Sequence, residues 1–129
     1  MPDKRATRRR AARRTLAGLN ALMAANACAG SWYAVRGAPN VPEEWLERTP
    51  FSDYRTPGVI LGTIVGGSQA AAAVALAADH RTARPLATGA SVVLLSWILT
   101  QLAMIGYRSP LQPAVLAWAL GTSALSRRL

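Results

Sequence analysis

Few residues in this chain could carry out acid–base, nucleophilic or metal chemistry, and they do not form a set. The only histidine, His80, stands apart from any cluster of metal-ligating residues. The only cysteine, Cys28, excludes an internal disulfide and a CxxC redox pair. The one group of carboxylates is typical of a solvated loop and consists of Glu43, Glu44, Glu47 and Asp53. We therefore predict no metal, no cofactor and no catalytic residue.

A second set of polar residues lies inside long apolar segments, where lipid rather than water would surround the side chains. Uncharged amides in lipid need hydrogen-bond partners, so we expect these residues to face inward. Those close to the middle of their segments are Asn26, Ser68, Gln69, Ser96, Trp97 and Trp118, and Gln101 lies about 7 Å further out by helix rise. The candidates for a binding site among them are Asn26, Gln69, Trp97, Gln101 and Trp118. They either bond to one another between helices or line a pocket for a small molecule. Trp97 and Gln101, one helical turn apart, would give that pocket an aromatic wall beside an amide.

The apolar segments contain no Asp, Glu, Lys, Arg or His. A proton-coupled transporter that relies on a carboxylate inside the membrane therefore has no candidate residue. The chain also has no nucleophile–base pair and no glycine-rich phosphate loop of the known motifs. These features favour a non-enzymatic protein.

Four uncharged segments must position the polar residues: 15–35, 57–78, 85–107 and 110–126. The second segment has 22 residues, and a helix of that length rises about 33 Å, enough to cross the hydrocarbon core of a bilayer. The fourth is the shortest. We predict an all-α membrane protein whose four transmembrane helices form an antiparallel bundle.

Small residues recur at helical spacing in each segment and predict faces on which helices pack closely. The ridge in the second segment is the most regular and consists of Gly58, Gly62, Gly66 and Ala70. We expect this ridge to contact another copy or a membrane partner. The other stripes are Ala17, Ala21, Ala24, Cys28 and Ser31; Gly89, Val93, Ser96, Thr100 and Ala103; and Ala114, Ala117, Gly121 and Ala124.

The connecting regions differ in charge and in turn signals. Residues 1–14 form a basic arm, whereas residues 36–56 form a polar loop in which 41–48 has the signals of a short helix. We expect that short helix to lie along the outer membrane surface. An alternative for the start of the chain is a cleavable signal, with Arg13 and Arg14 as a twin-arginine pair and 27–29 as the cleavage site.

The formal charge of +9 is unevenly distributed and sets the predicted orientation. Seven of the fifteen basic residues precede the first apolar segment, and with four spans 11 basic residues lie on the side of the N-terminus against four on the other. The positive-inside rule then gives both ends in the cytoplasm. No aromatic residues interleave the arginines, so we expect no nucleic-acid partner.

Two stretches resemble a family of small four-span bacterial membrane proteins: TPFSDYRTPGVILG (49–62) and QLAMIGYRSPLQP (101–113). The second stretch is the more specific, through Gln101, Ile105, Gly106, Ser109, Leu111, Gln112 and Pro113. The chain is also loosely similar to the DoxX-like four-helix proteins, without a charged signature to carry over. The resemblance covers about the last 85 residues and implies fold and membrane location, not an activity.

Three functions remain open on these observations. The first is a non-enzymatic accessory or scaffold subunit that self-associates or docks to a membrane partner. The second is a carrier, channel or binding protein for a small uncharged or lipophilic molecule. The third is an enzyme that acts on lipid at the outer surface through Asp53 or Glu47.

Overall fold

The computed structural model describes residues 4–38, 54–105 and 111–129. These residues form four helices and no strand: α1 (Lys4–Val35), α2 (Arg55–Ala77), α3 (Ala83–Ile105) and α4 (Leu111–Ser126). The prediction of an all-helical protein is confirmed for this part of the chain. The predicted short helix at 41–48, the acidic group at 43–53 and the turn residues Gly106 and Ser109 lie outside the described residues.

Helix α1 is longer than the apolar segment from which it was predicted. It begins at Lys4 rather than at Thr15, so the basic arm and the first apolar segment form one continuous helix of 32 residues, about 48 Å long. The helix ends where Gly37, with φ of 97°, adopts a left-handed conformation that favours glycine. Two terminal bonds, Gly37 N–H to Ala34 O and Ala38 N–H to Tyr33 O, complete a Schellman cap.

Helix α2 contains a wider π-helical turn at Leu61–Val65, between the α-helical parts Arg55–Ile60 and Gly66–Ala77. Its C-terminus is also a Schellman cap: Asp79 has φ of 50°, Asp79 N–H donates to Leu76 O, and His80 N–H donates to Ala75 O. This cap turns the chain directly into α3. The bounds of α2, α3 and α4 differ from the predicted segments by two residues or fewer.

Consecutive helices are antiparallel neighbours, and α4 also contacts α1. The direction of α1 against α2 follows from two contacts, because Arg13 reaches Leu76 whereas Ala27 lies beside Gly66. Two groups of buried apolar residues fill the interior. One lies toward the start of α1 and its arginines, and we call it the basic-end cluster: Leu16, Ala75, Leu76, Ala83 and Ala87. The other lies further from that end, and we call it the distal cluster: Met23, Ala27, Val65, Leu94 and Ala119.

Two of the four helices are long and apolar enough to cross a membrane, as Arg55–Ala77 and Ala83–Ala103. Only about a third of each of these spans is buried against the rest of the chain. Helix α4 is too short by the same measure, with 16 residues. Helix α1 is long enough but too polar, because its first half is basic and its second half contains Asn20 and Asn26. By length and composition, therefore, two of the described helices could cross a membrane, whereas the sequence analysis predicts four spans.

Candidate functional site

The two apolar clusters are separated by a layer of buried polar side chains, one from each helix. This polar layer consists of Asn20, Gln69, Ser91 and Thr122, each of them at most 2% exposed. In every helix the polar residue lies between a residue of the basic-end side and a residue of the distal cluster, as Asn20 does between Leu16 and Met23. Since the helices are antiparallel neighbours, this common position brings the four side chains to one level.

Hydrogen bonds satisfy part of the polar layer. Gln69 Nε2 donates to Ala90 O of α3 at 3.1 Å, a bond between neighbouring helices. The hydroxyls of Ser91 and Thr122 are 2.9 Å apart and link α3 to α4, and Thr122 Oγ1 also donates to Ala119 O one turn earlier. The α3 side of the layer therefore holds three helices together through polar contacts.

The α1 side of the polar layer is unsatisfied. Asn20 has no hydrogen-bond partner on either Nδ2 or Oδ1, and Gln69 Oε1 has none, although both residues are 0% exposed. Trp118 Nε1, one turn from Thr122, is also buried without a partner. A buried polar group without a partner costs about 1 to 3 kcal/mol, and the cost is larger in lipid. A water molecule or another small polar molecule that formed hydrogen bonds with these atoms would therefore remove this cost.

The structure brings only one of the predicted polar residues into this layer, namely Gln69. Trp97 and Trp118 pack against the distal cluster beside the layer, and Gln101 is half-buried further along α3. Asn26 is exposed, and its Nδ2 lies 3.8 Å from Met23 Sδ. The expectation that all five face inward does not hold for Asn26, because the buried face of α1 passes through Met23 and Ala27.

The amide that α1 does bury, Asn20, is absent from the predicted set. A signal for it exists in the sequence, because the buried residues Leu16, Asn20, Met23 and Ala27 follow helical spacing of three and four. Distance from the ends of the segment favours Asn26 instead, because Asn26 lies nearer its middle. Helical face, rather than depth, decides which of the two asparagines is buried.

The predicted glycine ridge lies against α1 of the same chain. A Cβ on Gly58 would lie 2.6 Å from Ala34 Cβ, and a Cβ on Gly62 would lie 2.5 Å from Ser31 Oγ. Gly66 faces Ala27 and Cys28 at 3.6 Å, whereas Ala70 is exposed. The three glycines thus allow α1 to approach α2 closely within one subunit. The stripe of small residues on α4 differs, since Ala114, Ala117, Gly121 and Ala124 are all exposed.

The remaining reactive side chains are dispersed. His80 Nδ1 accepts a bond from Thr82 N–H at 3.2 Å and lies 2.8 Å from Thr82 Oγ1. Cys28 is exposed and unpaired, and the described residues contain no group of three His, Cys, Asp or Glu that could hold a metal ion. The chemistry at hand is hydrogen bonding by amides, hydroxyls and an indole.

Comparison of the chain with protein-family models, with curated proteins and with solved structures found no match.

Proposed function

We propose that this chain is a non-enzymatic integral membrane protein of the bacterial inner membrane, an accessory or scaffold subunit that self-associates or docks to a membrane partner. The observation on which the proposal rests is that apolar side chains lie outside and polar side chains inside, the reverse of the arrangement in a water-soluble protein. Large apolar side chains are about half exposed or more on each helix, including Leu22, Val74, Leu99 and Leu120, whereas amides and hydroxyls are buried between the helices. Lipid stabilises such a surface, and water does not.

The packing of α1 and α4 supports four spans rather than two. Helix α1 runs beside the whole of α2, from the contact of Arg13 with Asp79 to that of Ala34 with Gly58. Helix α4 lies beside α3, where Thr122 meets Ser91. If α2 and α3 cross a bilayer, α1 and α4 cross beside them, and the few polar residues of α1 are tolerated because Asn20 faces the interior.

The charge distribution supports a topology with both ends in the cytoplasm. Antiparallel packing gathers the start of α1, the link between α2 and α3, and the end of α4 at one end, which we call the basic end. Its exposed arginines include Arg9, Arg81, Arg84, Arg127 and Arg128. The positive-inside rule assigns this end to the cytoplasm.

The outer face of α4 is the surface on which we propose that assembly occurs. Its exposed small residues lie next to Leu120, which is 54% exposed, and a Cβ on Gly121 would meet nothing within 4 Å in this chain. The glycine ridge of α2 is covered by α1, whereas all four small residues of the α4 stripe are exposed. A second helix can approach closely there.

The Gly121→Leu variant tests this assembly surface. We expect it to lose self-association or a co-purifying partner in mild detergent while its unfolding is unchanged, because the new side chain points away from its own chain. Size-exclusion chromatography with light scattering, and identification of co-purifying proteins, provide the measurement. Gly18→Leu is the matched control, since Gly18 is an exposed glycine of α1 with nothing within 4 Å.

A wild-type chain that elutes as a monomer with no companion would count against the scaffold proposal. Equal assembly of wild type and Gly121→Leu would remove α4 as the surface. A loss of assembly in Gly18→Leu as well would show that any added bulk interferes.

The unsatisfied side of the polar layer favours a second candidate function, a carrier, channel or binding protein for a small uncharged molecule. Asn20 and Gln69 offer two acceptors and one amide donor without partners, and Trp118 offers an indole N–H. Such a set suits a solute with hydroxyl or amide groups. The two functions differ in their response to Asn20→Leu, which a scaffold tolerates and a polar binding site does not.

A further inference from the structure

The basic end contains a cavity of about 160 Å³ between α1, the α2–α3 link and the end of the chain. Four arginines line it, two from α1 and two from the link and the start of α3: Arg9, Arg13, Arg81 and Arg84. Asp79 is the one acidic side chain among the lining residues, and His80 completes the rim. Four positive charges from separate parts of the chain thus converge around one acidic side chain.

The arginines of this cavity are only partly neutralised. Arg13 has a local role, because its Nη1 donates to Leu76 O at 2.8 Å and its Nε lies 3.6 Å from Asp79 Oδ1. Among the described residues, Arg9, Arg81 and Arg84 have no ion pair or hydrogen bond through their side chains. Three guanidinium groups therefore remain available to an anion, and guanidinium binds the oxygens of phosphate in pairs.

An apolar groove of about 470 Å³ adjoins the cavity. It runs along α2, with one side chain from α3, and is lined by Ala70, Ala71, Val74, Ala75, Ala78 and Leu86. Residues 70 to 78 span about 12 Å along the helix axis. Val74 is 69% exposed, so none of the residues that the structure describes covers it.

His80 lines both the cavity and the groove, so the two adjoin at this residue, and we call the pair the amphipathic site. The groove leads from the basic end along α2 toward the middle of the proposed membrane span. A phosphate group alone would use only the arginines, and an apolar helix would use only the groove. A phospholipid matches both, with its headgroup phosphate at the level of the arginines and an acyl chain alongside Val74.

We propose that this site binds one anionic phospholipid, with the phosphate between Arg9, Arg81 and Arg84 and an acyl chain in the groove of α2. Arg13 and Asp79 position the rim through their contact with the end of α2. The inference rests on the proposed membrane location of the chain and adds a ligand class to it. Juxtamembrane clusters of arginine are attracted to anionic lipids in this way.

Native mass spectrometry of the delipidated protein in neutral detergent tests the proposal with three probes: phosphatidylglycerol, phosphatidylcholine with the same chains, and glycerol 3-phosphate. We expect one phosphatidylglycerol to bind, phosphatidylcholine to bind at least tenfold more weakly, and glycerol 3-phosphate to show no binding at the same concentration. Higher salt should weaken the first complex by screening.

Two variants locate the site, each with a matched control. Arg9→Gln with Arg84→Gln should weaken phosphatidylglycerol binding about thirtyfold, the size expected for two basic residues near an anionic lipid. Arg127→Gln with Arg128→Gln removes the same charge from the same end, outside the cavity lining, and should change binding little. Ala71→Phe should fill the groove and weaken binding, whereas Ala29→Phe, on the exposed side of α1, should not.

Equal binding of the two phospholipids, equal loss in both arginine pairs, or no effect of Ala71→Phe would overturn the proposal. Binding of glycerol 3-phosphate as tightly as the lipid would show a phosphate site without a lipid. Failure of the membrane assignment has a separate signature, a chain that stays dispersed without any detergent, so the two outcomes are distinguishable.

Discussion

At the scale of single residues, Asn20 is the most informative side chain. It is fully buried, and neither Nδ2 nor Oδ1 of its amide has a hydrogen-bond partner. An amide left in this state lowers the free energy of unfolding by about 1 to 3 kcal/mol. Asn26 on the same helix is exposed. The pair allows the effect of a buried amide to be separated from the effect of an amide on α1 in general.

We predict that Asn20→Leu raises the free energy of unfolding by about 1 kcal/mol, because it replaces an unsatisfied amide by an apolar side chain of similar size. Titration with sodium dodecyl sulfate in mixed micelles measures this free energy. Asn26→Leu should leave it unchanged within a few tenths of a kcal/mol, since surface substitutions have small effects.

The opposite result would favour the binding function. A clear loss of stability in Asn20→Leu would mean that the amide has a partner in the native protein, such as a bound polar molecule. Permeation of glycerol into proteoliposomes then separates the functions. A scaffold shows no permeation above empty liposomes, whereas a polar path shows permeation that Asn20→Leu abolishes.

The sequence predicts that amides are buried between the helices, but it does not predict which positions they occupy. Amides near the middle of apolar segments were expected to be buried, and Gln69 is buried and bonded to Ala90 O. Asn20, Ser91 and Thr122 were missed because depth along a helix does not specify its face. Asn20 could have been found from its helical spacing to Leu16 and Met23, whereas the bond from Ser91 to Thr122 requires the register of α3 on α4.

At the scale of elements, the contact between α1 and α2 depends on the absence of side chains at two glycines. Gly62 lies in the π-helical turn of α2, directly opposite Ser31 of α1. Gly67, five residues later, is exposed and has nothing within 4 Å of an added Cβ. The same substitution at these two positions therefore has opposite consequences.

We predict that Gly62→Ala lowers the free energy of unfolding by about 1 to 3 kcal/mol, the usual cost of overpacking a tight contact. Gly67→Ala should be neutral or stabilising by up to about 1 kcal/mol, because alanine favours a helix over glycine. Detergent unfolding titrations of both variants give the comparison. Adding Ser31→Gly to Gly62→Ala should restore part of the loss, because it removes the Oγ and Cβ that the new methyl group would meet.

Equal effects of the two alanine substitutions, or no rescue by Ser31→Gly, would contradict the close contact. The first result would mean that glycine matters for α2 alone. The second would mean that Ser31 is not the group that the added methyl displaces.

Helix ends were predictable where a local signal exists, and contacts between helices were not. The change from apolar to charged residues at each end of the segment predicts the bounds of α2 to within two residues. The start of α1 was missed because seven basic residues resemble a solvated arm, yet Ala12 and Leu16 anchor that part of the helix against the rest of the chain. The repeat of glycines predicted a packing face but carried no information about which helix would occupy it.

At the scale of the whole molecule, we propose that four helices lie in a bilayer with the basic end in the cytoplasm. Apolar surface outside, a polar layer inside and arginines at one end agree with it. By length and composition only α2 and α3 among the described helices could cross a membrane, because α1 carries polar residues and α4 is short. Their place beside α2 and α3 is information that only the folded chain contains.

Thiol labelling in oriented membrane vesicles is the most direct test of this claim. In a Cys28→Ala background, Ala11→Cys, Arg81→Cys and Arg128→Cys place single thiols on the exposed parts of the start of α1, the α2–α3 link and the end of α4. We predict that an impermeant maleimide labels all three in inside-out vesicles and none in right-side-out vesicles. Labelling of any one of them from the outside, or recovery of the chain in the soluble fraction, would contradict the four-span arrangement.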